Sequence, residues 1–253
     1  MIRLRDQLTW GARIRYIVWR LLGSRETLAV RLKRGGRICV RPAPSLDLDI
    51  AREIFALGCY RLPNKISADT VRNGIRNIVD LGSNVGLSLV FWSHEFRNAR
   101  IFAYEPHPAH LRQLQLNVQI NGLQNRVVTC PVAAGVAPAT LFLTDEGPRS
   151  TLSPIPAPHA LQVEVVDWFE DLAHHGLLAD GIDLLKIDIE GGEFVLLADP
   201  RFAELAVRNL VLEWHDTRQR KDGQSWCLQR LESLGFRCQL GQSDSRLIWA
   251  TRD

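Results

Sequence analysis

Strand-like and helix-like segments follow one another in turn from about Asn77 onward in this 253-residue chain, apart from a less regular region over residues 135–181. Apolar runs such as "NIVDLGS", "ARIFAYEP", "RVVTCPVA", "DLLKIDI" and "NLVLEWH" have the length of single strands, and helix-like segments such as "PAHLRQLQLNVQINGL" and "WCLQRLESLG" lie between them. Strands that are apolar throughout and joined by helices predict a parallel sheet with both faces covered. The last two runs, "FRCQLG" and "SRLIWATR", have only a short connection, which predicts an antiparallel pair.

The first 70 residues do not follow this alternation. The segment "LTWGARIRYIVWRLLGS" places Trp10, Ile14, Ile17, Val18, Leu21 and Leu22 on one stripe of a helix. Residues 27–42 predict two short strands around a Gly35-Gly36 turn, and "LDIAREIFALG" predicts a further helix. We therefore expect an N-terminal extension over residues 1–70, followed by one α/β domain over residues 71–253.

The charge of the chain is unevenly distributed. Residues 1–34 contain nine Lys and Arg residues against two acidic ones, a net charge of +7, whereas the whole chain carries +3. The remainder is acidic overall, so no general basic surface indicates a nucleic-acid partner. The basic N-terminal helix leaves two interpretations open. In the first, the helix packs against the domain or against a second subunit, and the second subunit would make the protein a homodimer. In the second, the helix lies on an anionic membrane surface.

Cysteine usage bears on the compartment. The five cysteines are scattered and odd in number, and none forms a C-x-x-C pair, which is typical of reduced thiols in a cytoplasmic protein. The apolar runs near the N-terminus are interrupted by Arg13, Arg15 and Arg20, so they do not resemble a signal peptide. No later apolar run has the length of a membrane-spanning helix.

The stretch "IVDLGSNVGLS" is typical of a nucleotide-binding turn. An apolar strand ends in an acidic residue, and a glycine-spaced turn then opens a helix. Asn84 and Leu87 occupy the second and third positions at which a dinucleotide-binding loop carries glycine, which argues against a nicotinamide or flavin site. Glu105 ends the next strand, where a carboxylate can accept hydrogen bonds from both hydroxyls of a ribose. Together the two motifs indicate an adenosine without a pyrophosphate, and hence S-adenosylmethionine.

Several motifs together resemble one family. "IVDLGSNVGLS", "AYEPHP", "LNVQING", "VEVVDWFEDL", "LLKIDIEGGE" and "LVLEWH" occur in the order found in FkbM-type S-adenosylmethionine-dependent methyltransferases. The resemblance implies the class I methyltransferase fold, a Rossmann-like α/β fold. Its seven-stranded, mostly parallel sheet has the order 3-2-1-4-5-7-6 and an antiparallel last strand. It also implies O-methylation of a small hydroxylated acceptor, commonly a sugar or a natural product.

Within that fold the loop and strand-end residues acquire expected roles in cofactor binding. Gly82, Ser83, Asn84 and Gly86 would shape the methionine end of the site, and Asp80 would steady the loop. Ser88 would hold the methionine carboxylate, or it is an ordinary helix residue. The remaining expected cofactor residues bind the ribose and the adenine: Glu105, Pro106, Val132 and Ala133.

The same fold explains why the apolar run "IDLLKIDIEGGEFVLL" carries acids at its far end. The strand order implied by the resemblance brings Asp188, Glu213 and His215 together at the carboxyl ends of strands 4 and 5. An acceptor hydroxyl must lose its proton, either to a general base such as His215 or Asp188 or with the help of a divalent metal. Oxygen ligands with one imidazole suit Mg²⁺ or Mn²⁺. Metal binding, base catalysis and a purely structural role all remain open at this point.

The sequence thus predicts a cytoplasmic S-adenosylmethionine-dependent O-methyltransferase. Its acceptor would be a sugar or a similar small polyhydroxylated molecule, and residues 1–70 would contribute to the acceptor site or to dimerisation. Two alternatives belong to other classes. One is a non-catalytic methyltransferase-fold module that binds a partner or a membrane through its basic N-terminus. The other is a nicotinamide-dependent oxidoreductase, which the missing glycines disfavour.

Overall fold

The computed structural model describes residues 3–63, 74–144, 152–156, 158–217 and 221–252. Within these residues the strands are β1 Leu28–Arg31, β2 Arg37–Val40, β3 Asn77–Leu81, β4 Arg100–Tyr104, β5 Val127–Cys130, β6 Ala133–Gly135, β7 Ala139–Leu143, β8 Leu152–Ser153, β9 Leu161–Asp167, β10 Ile182–Ile187, β11 Val207–Glu213, β12 Arg237–Leu240 and β13 Leu247–Thr251. The helices are α1 Trp10–Leu21, α2 Asp47–Ala51, α3 Leu87–Glu95, α4 Pro108–Ile120, α5 Trp168–His174, α6 Leu177–Asp180, α7 Glu193–Ala198, α8 Arg201–Glu204 and α9 Gly223–Ser233. A π-helical turn, Arg52–Leu57, continues α2.

The central sheet has seven strands in the order β12-β13-β11-β10-β3-β4-β5. Strands β3, β4, β5, β10 and β11 are parallel to one another. Strand β13 is antiparallel to β11, and it pairs with β12 in an antiparallel hairpin. Numbered by their order along the chain within this sheet, the strands run 3-2-1-4-5-7-6, so the predicted class I methyltransferase fold is confirmed.

Both faces of the sheet are buried, as the apolar runs predicted. All six residues of β10 are buried, and successive residues face opposite layers: Leu184 joins one core and Leu185 the other. The first core contains α3, α4 and the N-terminal segment, and the second contains α5, α7 and α9. The carboxyl ends of the parallel strands are therefore left at one edge, where turns can build a binding site.

The N-terminal segment covers the α3–α4 face. Its hairpin β1–β2 is antiparallel, as expected from the Gly35-Gly36 turn. Helix α1 packs through Ala12, Tyr16 and Trp19, whereas the apolar stripe that contains Trp10 and Leu21 faces solvent. The predicted domain boundary at residue 70 falls outside the described residues.

One predicted strand is divided in two. The run "RVVTCPVA" was expected to form a single strand, but Pro131 separates β5 from β6 because proline lacks the backbone N–H that a continuous ladder needs. Strand β6 instead starts a second, four-stranded sheet in the order β6-β9-β7-β8. No helix in the described residues has both the length and the apolar character to cross a bilayer.

Candidate active site

The loop between β3 and α3 depends on left-handed backbone at three positions. Gly82, Asn84 and Gly86 have φ angles of 78°, 49° and 77°. A Cβ atom on Gly82 would lie 1.9 Å from the carbonyl oxygen of Asp188, so only glycine lets the turn after β3 approach the turn after β10 so closely. The backbone N–H groups of Gly82 and Ser83 donate to the carbonyl of Tyr104, which ties the loop to β4.

A buried lysine connects the turn after β3 with the turn after β10. The Nζ atom of Lys186 lies 3.1 Å from Asp80 Oδ1 and 3.2 Å from Asp188 Oδ2, and it donates to the carbonyl of Gly82 at 2.8 Å. Burial by itself lowers the pKa of Lys186, but the two carboxylates outweigh burial and hold this pKa above its ordinary value. Ser88 donates to Asp80 Oδ2 at 2.5 Å. Asp80, Lys186 and Ser88 thus fix the loop rather than face its opening.

Glu105 stands at the end of β4 and is buried. Its Oε2 atom accepts from the backbone N–H of Asn84 at 2.8 Å, and its Oε1 atom accepts from the N–H of His107 at 2.8 Å. His110 Nδ1 lies 3.7 Å from Oε1. Each carboxylate oxygen can accept a further hydrogen bond, so Glu105 is both fixed in place and able to bind a pair of hydroxyls.

A cavity of about 840 Å³, measured with its open mouth, lies over these strand ends. Six of the expected cofactor residues line it: Gly82, Asn84, Glu105, Pro106, Val132 and Ala133. The other four, Asp80, Ser83, Gly86 and Ser88, are not among the lining residues, and Asp80, Ser83 and Ser88 are buried. The side-chain oxygen of Asn84 is buried and has no hydrogen-bond partner among the described residues, so it is available to a bound molecule.

Asp188, Glu213 and His215 come together as the strand order implied. Their ligand atoms all lie within 4.8 Å of one another. His215 Nε2 is 4.0 Å from Asp188 Oδ1 and 3.9 Å from Glu213 Oε1. Glu190 joins them, with Oε2 3.5 Å from the same nitrogen. Asp188 and Glu190 line the cavity, which places this carboxylate–histidine cluster at its wall.

Glu193 orients His215 through a contact with the Nδ1 side of its ring. Its Oε1 atom accepts from the backbone N–H of His215 at 2.9 Å and lies 3.2 Å from His215 Nδ1. Its Oε2 atom accepts from the N–H of Gly191 at 2.7 Å. Because the Glu193 side chain is fully buried, it fixes the ring of His215 and leaves Nε2 toward the other carboxylates.

The cluster shifts the pKa values of its members. Burial lowers the pKa of His215, but the Glu193 hydrogen bond and the charges of Asp188 and Glu190 outweigh burial and raise this pKa to about 9. Burial, with the nearby charge of Asp188, raises the pKa of Glu190 and of Glu213 to about 7. His215 is therefore an imidazolium at neutral pH, and the two glutamates are poised between their charged and neutral forms.

Sequence reasoning missed several residues of this site. Glu190 and Glu193 belong to the motif "LLKIDIEGGE", but neither was predicted as a catalytic or metal-binding residue. Arg246 directly precedes β13 and lies 33 residues after Glu213 in the chain. Its Nη1 atom is 2.8 Å from Glu213 Oε1. Tyr60, from the N-terminal segment, places its ring 5.9 Å from Lys186 Nζ. No local pattern indicated a role in this site for either Arg246 or Tyr60.

The solved structures that resemble the chain are distant in sequence. Fibrillarin of Aeropyrum pernix, solved with natively bound S-adenosyl-L-methionine, is 15% identical, with a TM-score of 0.44 over 89% of this chain and 94% of that one. Precorrin-6y C5,15-methyltransferase of Geobacter metallireducens is also 15% identical, with a TM-score of 0.44 over 74% of this chain and 87% of that one.

Sequence comparisons are more specific. The Methyltransferase FkbM domain family matches residues 80–238. Methyltransferase sdnD of Sordaria araneosa is 30% identical over 198 residues, which cover 65% of this chain and 73% of the relative. The 31-O-demethyl-FK506 methyltransferase FkbM of Streptomyces tacrolimicus is 26% identical over 202 residues, with the same two coverages. The match spans the glycine loop, Glu105 and the carboxylate–histidine cluster, and the chain accordingly belongs to the FkbM methyltransferase family.

Proposed function

We propose that this chain is an S-adenosylmethionine-dependent O-methyltransferase that methylates a hydroxyl of a sugar or a similar small polyhydroxylated acceptor. The observation that carries the proposal is the composition of the cavity wall. Glu105, fixed by two backbone N–H groups, lies on one side, and Asp188 and Glu190 of the carboxylate–histidine cluster lie on the other. A carboxylate suited to binding ribose hydroxyls and carboxylates suited to accepting a proton therefore line the same cavity.

The residues present fit the cofactor. S-adenosylmethionine, when bound, supplies an electrophilic methyl group on a positively charged sulfonium. Glu105 would accept hydrogen bonds from the ribose hydroxyls, Asn84 offers an unpartnered side-chain oxygen, and Val132 and Ala133 would contact the adenine. Negative charge exceeds positive charge at the strand ends, where Asp80, Asp188, Glu190, Glu193 and Glu213 face Lys186, His215 and Arg246. This excess complements a cation.

At the acceptor end, the proton of the hydroxyl needs a recipient, because a protonated alcohol is a poor nucleophile. We assign this role to Glu190, which lines the cavity and whose pKa of about 7 suits a general base at neutral pH. The imidazolium of His215, 3.5 Å away, would stabilise the carboxylate form. Asp188 and Glu213, predicted as catalytic residues, would set the charge around this pair.

The same donor set also suits a metal. Asp188, Glu213 and His215 would be the ligands, and an oxygen-rich set with one imidazole favours Mg²⁺ or Mn²⁺. A metal there would lower the pKa of the acceptor hydroxyl. Lys186 and Arg246 already neutralise one oxygen each of Asp188 and Glu213, so a metal would have to share these carboxylates with two cations.

The acceptor class is supported by a relative and by the resemblance. The name of the Streptomyces relative places its methyl group on an oxygen, and we extend this acceptor atom to the present chain. We also propose that residues 1–70 contribute to the acceptor site: the ring centroid of Tyr60 lies 5.9 Å from Lys186 Nζ, although neither residue lines the cavity. A cytoplasmic location, the absence of a nucleic-acid partner and a homodimer stay predictions from the sequence.

The decisive experiment measures release of S-adenosylhomocysteine from S-adenosylmethionine with free sugars, partly methylated sugars, glycosides and aromatic hydroxyl compounds, each with Mg²⁺ and with EDTA. We expect turnover on a sugar, lost in Glu190→Gln and lowered in His215→Ala while both variants still bind S-adenosylhomocysteine. Turnover that EDTA abolishes and Mg²⁺ restores would move the proton-removing role from Glu190 to a metal. Failure of the parent chain to bind S-adenosylhomocysteine would overturn the proposal.

A further inference from the structure

Helix α1 exposes an apolar face to solvent. Six large apolar side chains, 37–81% exposed, lie on it: Trp10, Ile14, Ile17, Val18, Leu21 and Leu22. The first five follow the i, i+4, i+7, i+8, i+11 spacing of a single helical stripe. The opposite face, with Ala12, Tyr16 and Trp19, packs against the domain. The helix is thus anchored by one side and presents a continuous apolar surface on the other.

Arginines flank this stripe on the helix itself. At 100° per residue, Arg13 and Arg20 fall on one side of the stripe and Arg15 falls on the other. Helix α1 contains no acidic residue. An exposed apolar stripe bordered by arginines on both sides is the arrangement of a helix that lies in the interface of a lipid bilayer, with the guanidinium groups at the level of the phosphates.

A groove beside α1 provides a second, independent observation. Four arginines line it, Arg3, Arg5, Arg20 and Arg52, and Asp49 is the one acidic residue among its described lining residues. Ile17 and Leu21 border both the groove and the apolar stripe. A phosphate-bearing headgroup would therefore meet arginines at the place where its acyl chains would meet apolar side chains.

Charge distinguishes a membrane from a second copy of the chain. Residues 1–34 carry a net charge of +7. Two copies that paired through α1 would bring these charges together and repel, whereas an anionic bilayer attracts them, by about fivefold in partitioning for each arginine near the surface. We infer that α1 and the arginine-lined groove dock the protein onto the surface of a membrane rich in anionic phospholipids.

Vesicle sedimentation of the full chain tests this inference. The probes are vesicles of phosphatidylcholine alone and vesicles of phosphatidylcholine mixed with phosphatidylglycerol, at low and high salt. We expect binding to the anionic vesicles only, weakened by salt. Leu21→Asp should weaken binding by about tenfold or more, and Arg20→Glu, which changes two charges, by about 25-fold. Leu178→Asp and Arg112→Glu, at exposed positions on α6 and α4, are the matched controls and should bind like the parent.

The following results would overturn the inference of membrane docking. Absence of binding to anionic vesicles would do so, as would equal binding to neutral ones. Loss of binding in the two control variants to the same degree would show that α1 has no special part. A dimer in analytical ultracentrifugation that Leu21→Asp dissociates, without vesicle binding, would assign the stripe to a second copy. All five proteins are compared by circular dichroism, so that an unfolded variant is not scored.

Discussion

Glu105 already accepts two hydrogen bonds from the backbone of the chain before any ligand binds. Glu105→Ala leaves the N–H groups of Asn84 and His107 without their acceptor and, under the proposed function, also removes the ribose contacts. We expect the affinity for S-adenosylhomocysteine to fall by roughly 100-fold, about 2–3 kcal/mol. Isothermal titration calorimetry measures this change. Glu164→Ala, an exposed carboxylate on β9, is the control, and equal affinity in Glu105→Ala and the parent would refute the ribose assignment.

Glu193 contacts the carboxylate–histidine cluster through His215. Glu193→Gln removes the negative charge that the imidazole contacts while keeping a side chain of similar shape. We expect the pKa of His215 to fall from about 9 toward its ordinary value, and turnover to fall by roughly tenfold, with the affinity for S-adenosylhomocysteine unchanged. An NMR titration of the histidine ring measures the pKa.

The exposed Glu204, on α8, provides the control Glu204→Gln, which should alter neither value. If the pKa of His215 stays at about 9 in Glu193→Gln, Asp188 and Glu190 alone hold the proton on the ring. Glu193 would then have only a structural role at the start of α7.

At the scale of elements, two asparagines one turn apart, one within α4 and one at its C-terminal cap, attach the N-terminal hairpin to the domain. Asn117 accepts from the N–H of Cys39 at 2.7 Å and donates to the carbonyls of Cys39 and Val85. Asn121 accepts from the N–H of Arg37 at 2.8 Å and donates to its carbonyl at 2.7 Å. The two side chains thus make the same kind of contact with β2, but Asn117 is fully buried and Asn121 is not.

This pair separates the cost of a buried hydrogen bond from that of an exposed one. Asn117→Ala leaves buried backbone groups unsatisfied and should lower the free energy of unfolding by about 3 kcal/mol. Asn121→Ala, whose backbone partners water can reach, should lower it by about 1 kcal/mol or less. Urea unfolding followed by circular dichroism measures both. Equal losses of unfolding free energy in the two variants would mean that burial does not raise the cost of removing the hydrogen bonds of Asn117.

The elements show how far local sequence patterns reach. The alternation of strands and helices, the N-terminal hairpin and the antiparallel last pair were all predicted, because each leaves a periodic or turn signal in the sequence. The sequence carries no such signal for which element packs against a given apolar face. The apolar stripe of α1 was interpreted first as a packing surface and second as a membrane contact, yet Tyr16 and Trp19 on the other face anchor the helix. The division of β5 from β6 depends on Pro131, whose effect the apolar run concealed.

The site shows the same limit. Asp188, Glu213 and His215 were predicted to converge because strand order places strand ends side by side, and they do converge. Glu193 contacts His215, which lies 22 positions later in the chain. Glu193 is placed for this contact by the preceding turn, in which Gly191 has a φ of 100°. Glu190 reaches the cavity wall with a φ of 51°, unusual for a residue with a side chain. Such turns orient side chains in ways that strand and helix periodicity does not describe.

At the scale of the whole molecule, charge is separated between two regions. The N-terminal 34 residues are strongly basic, whereas the carboxyl edge of the sheet gathers acids around a few cations. The first region has ordinary exposed charges, so salt screens it. The second is mostly buried, so it titrates, and its protonation is linked to the stability of the entire fold.

The direction of that linkage follows from the pKa values. His215 binds its proton more tightly in the folded state, with its pKa raised from 6.5 to about 9, so its contribution is fully present below pH 6.5 and is lost as the pH rises through about 9. Glu190 and Glu213, raised from 4.5 to about 7, act in the same sense at lower pH. The cluster therefore stabilises the folded chain less at each step toward alkaline pH.

We accordingly expect the parent to lose on the order of 2 kcal/mol of its free energy of unfolding to His215 alone between pH 6.5 and about 9. Urea unfolding in buffers that contain EDTA, compared between the parent and His215→Gln, isolates this contribution. The difference between the two proteins should shrink across that interval. His174→Gln, at an exposed position on α5, should keep a constant difference from the parent. A His215→Gln difference that stays constant would show that His215 carries no extra proton in the folded state, and the assignment of an imidazolium to the cluster would then fail.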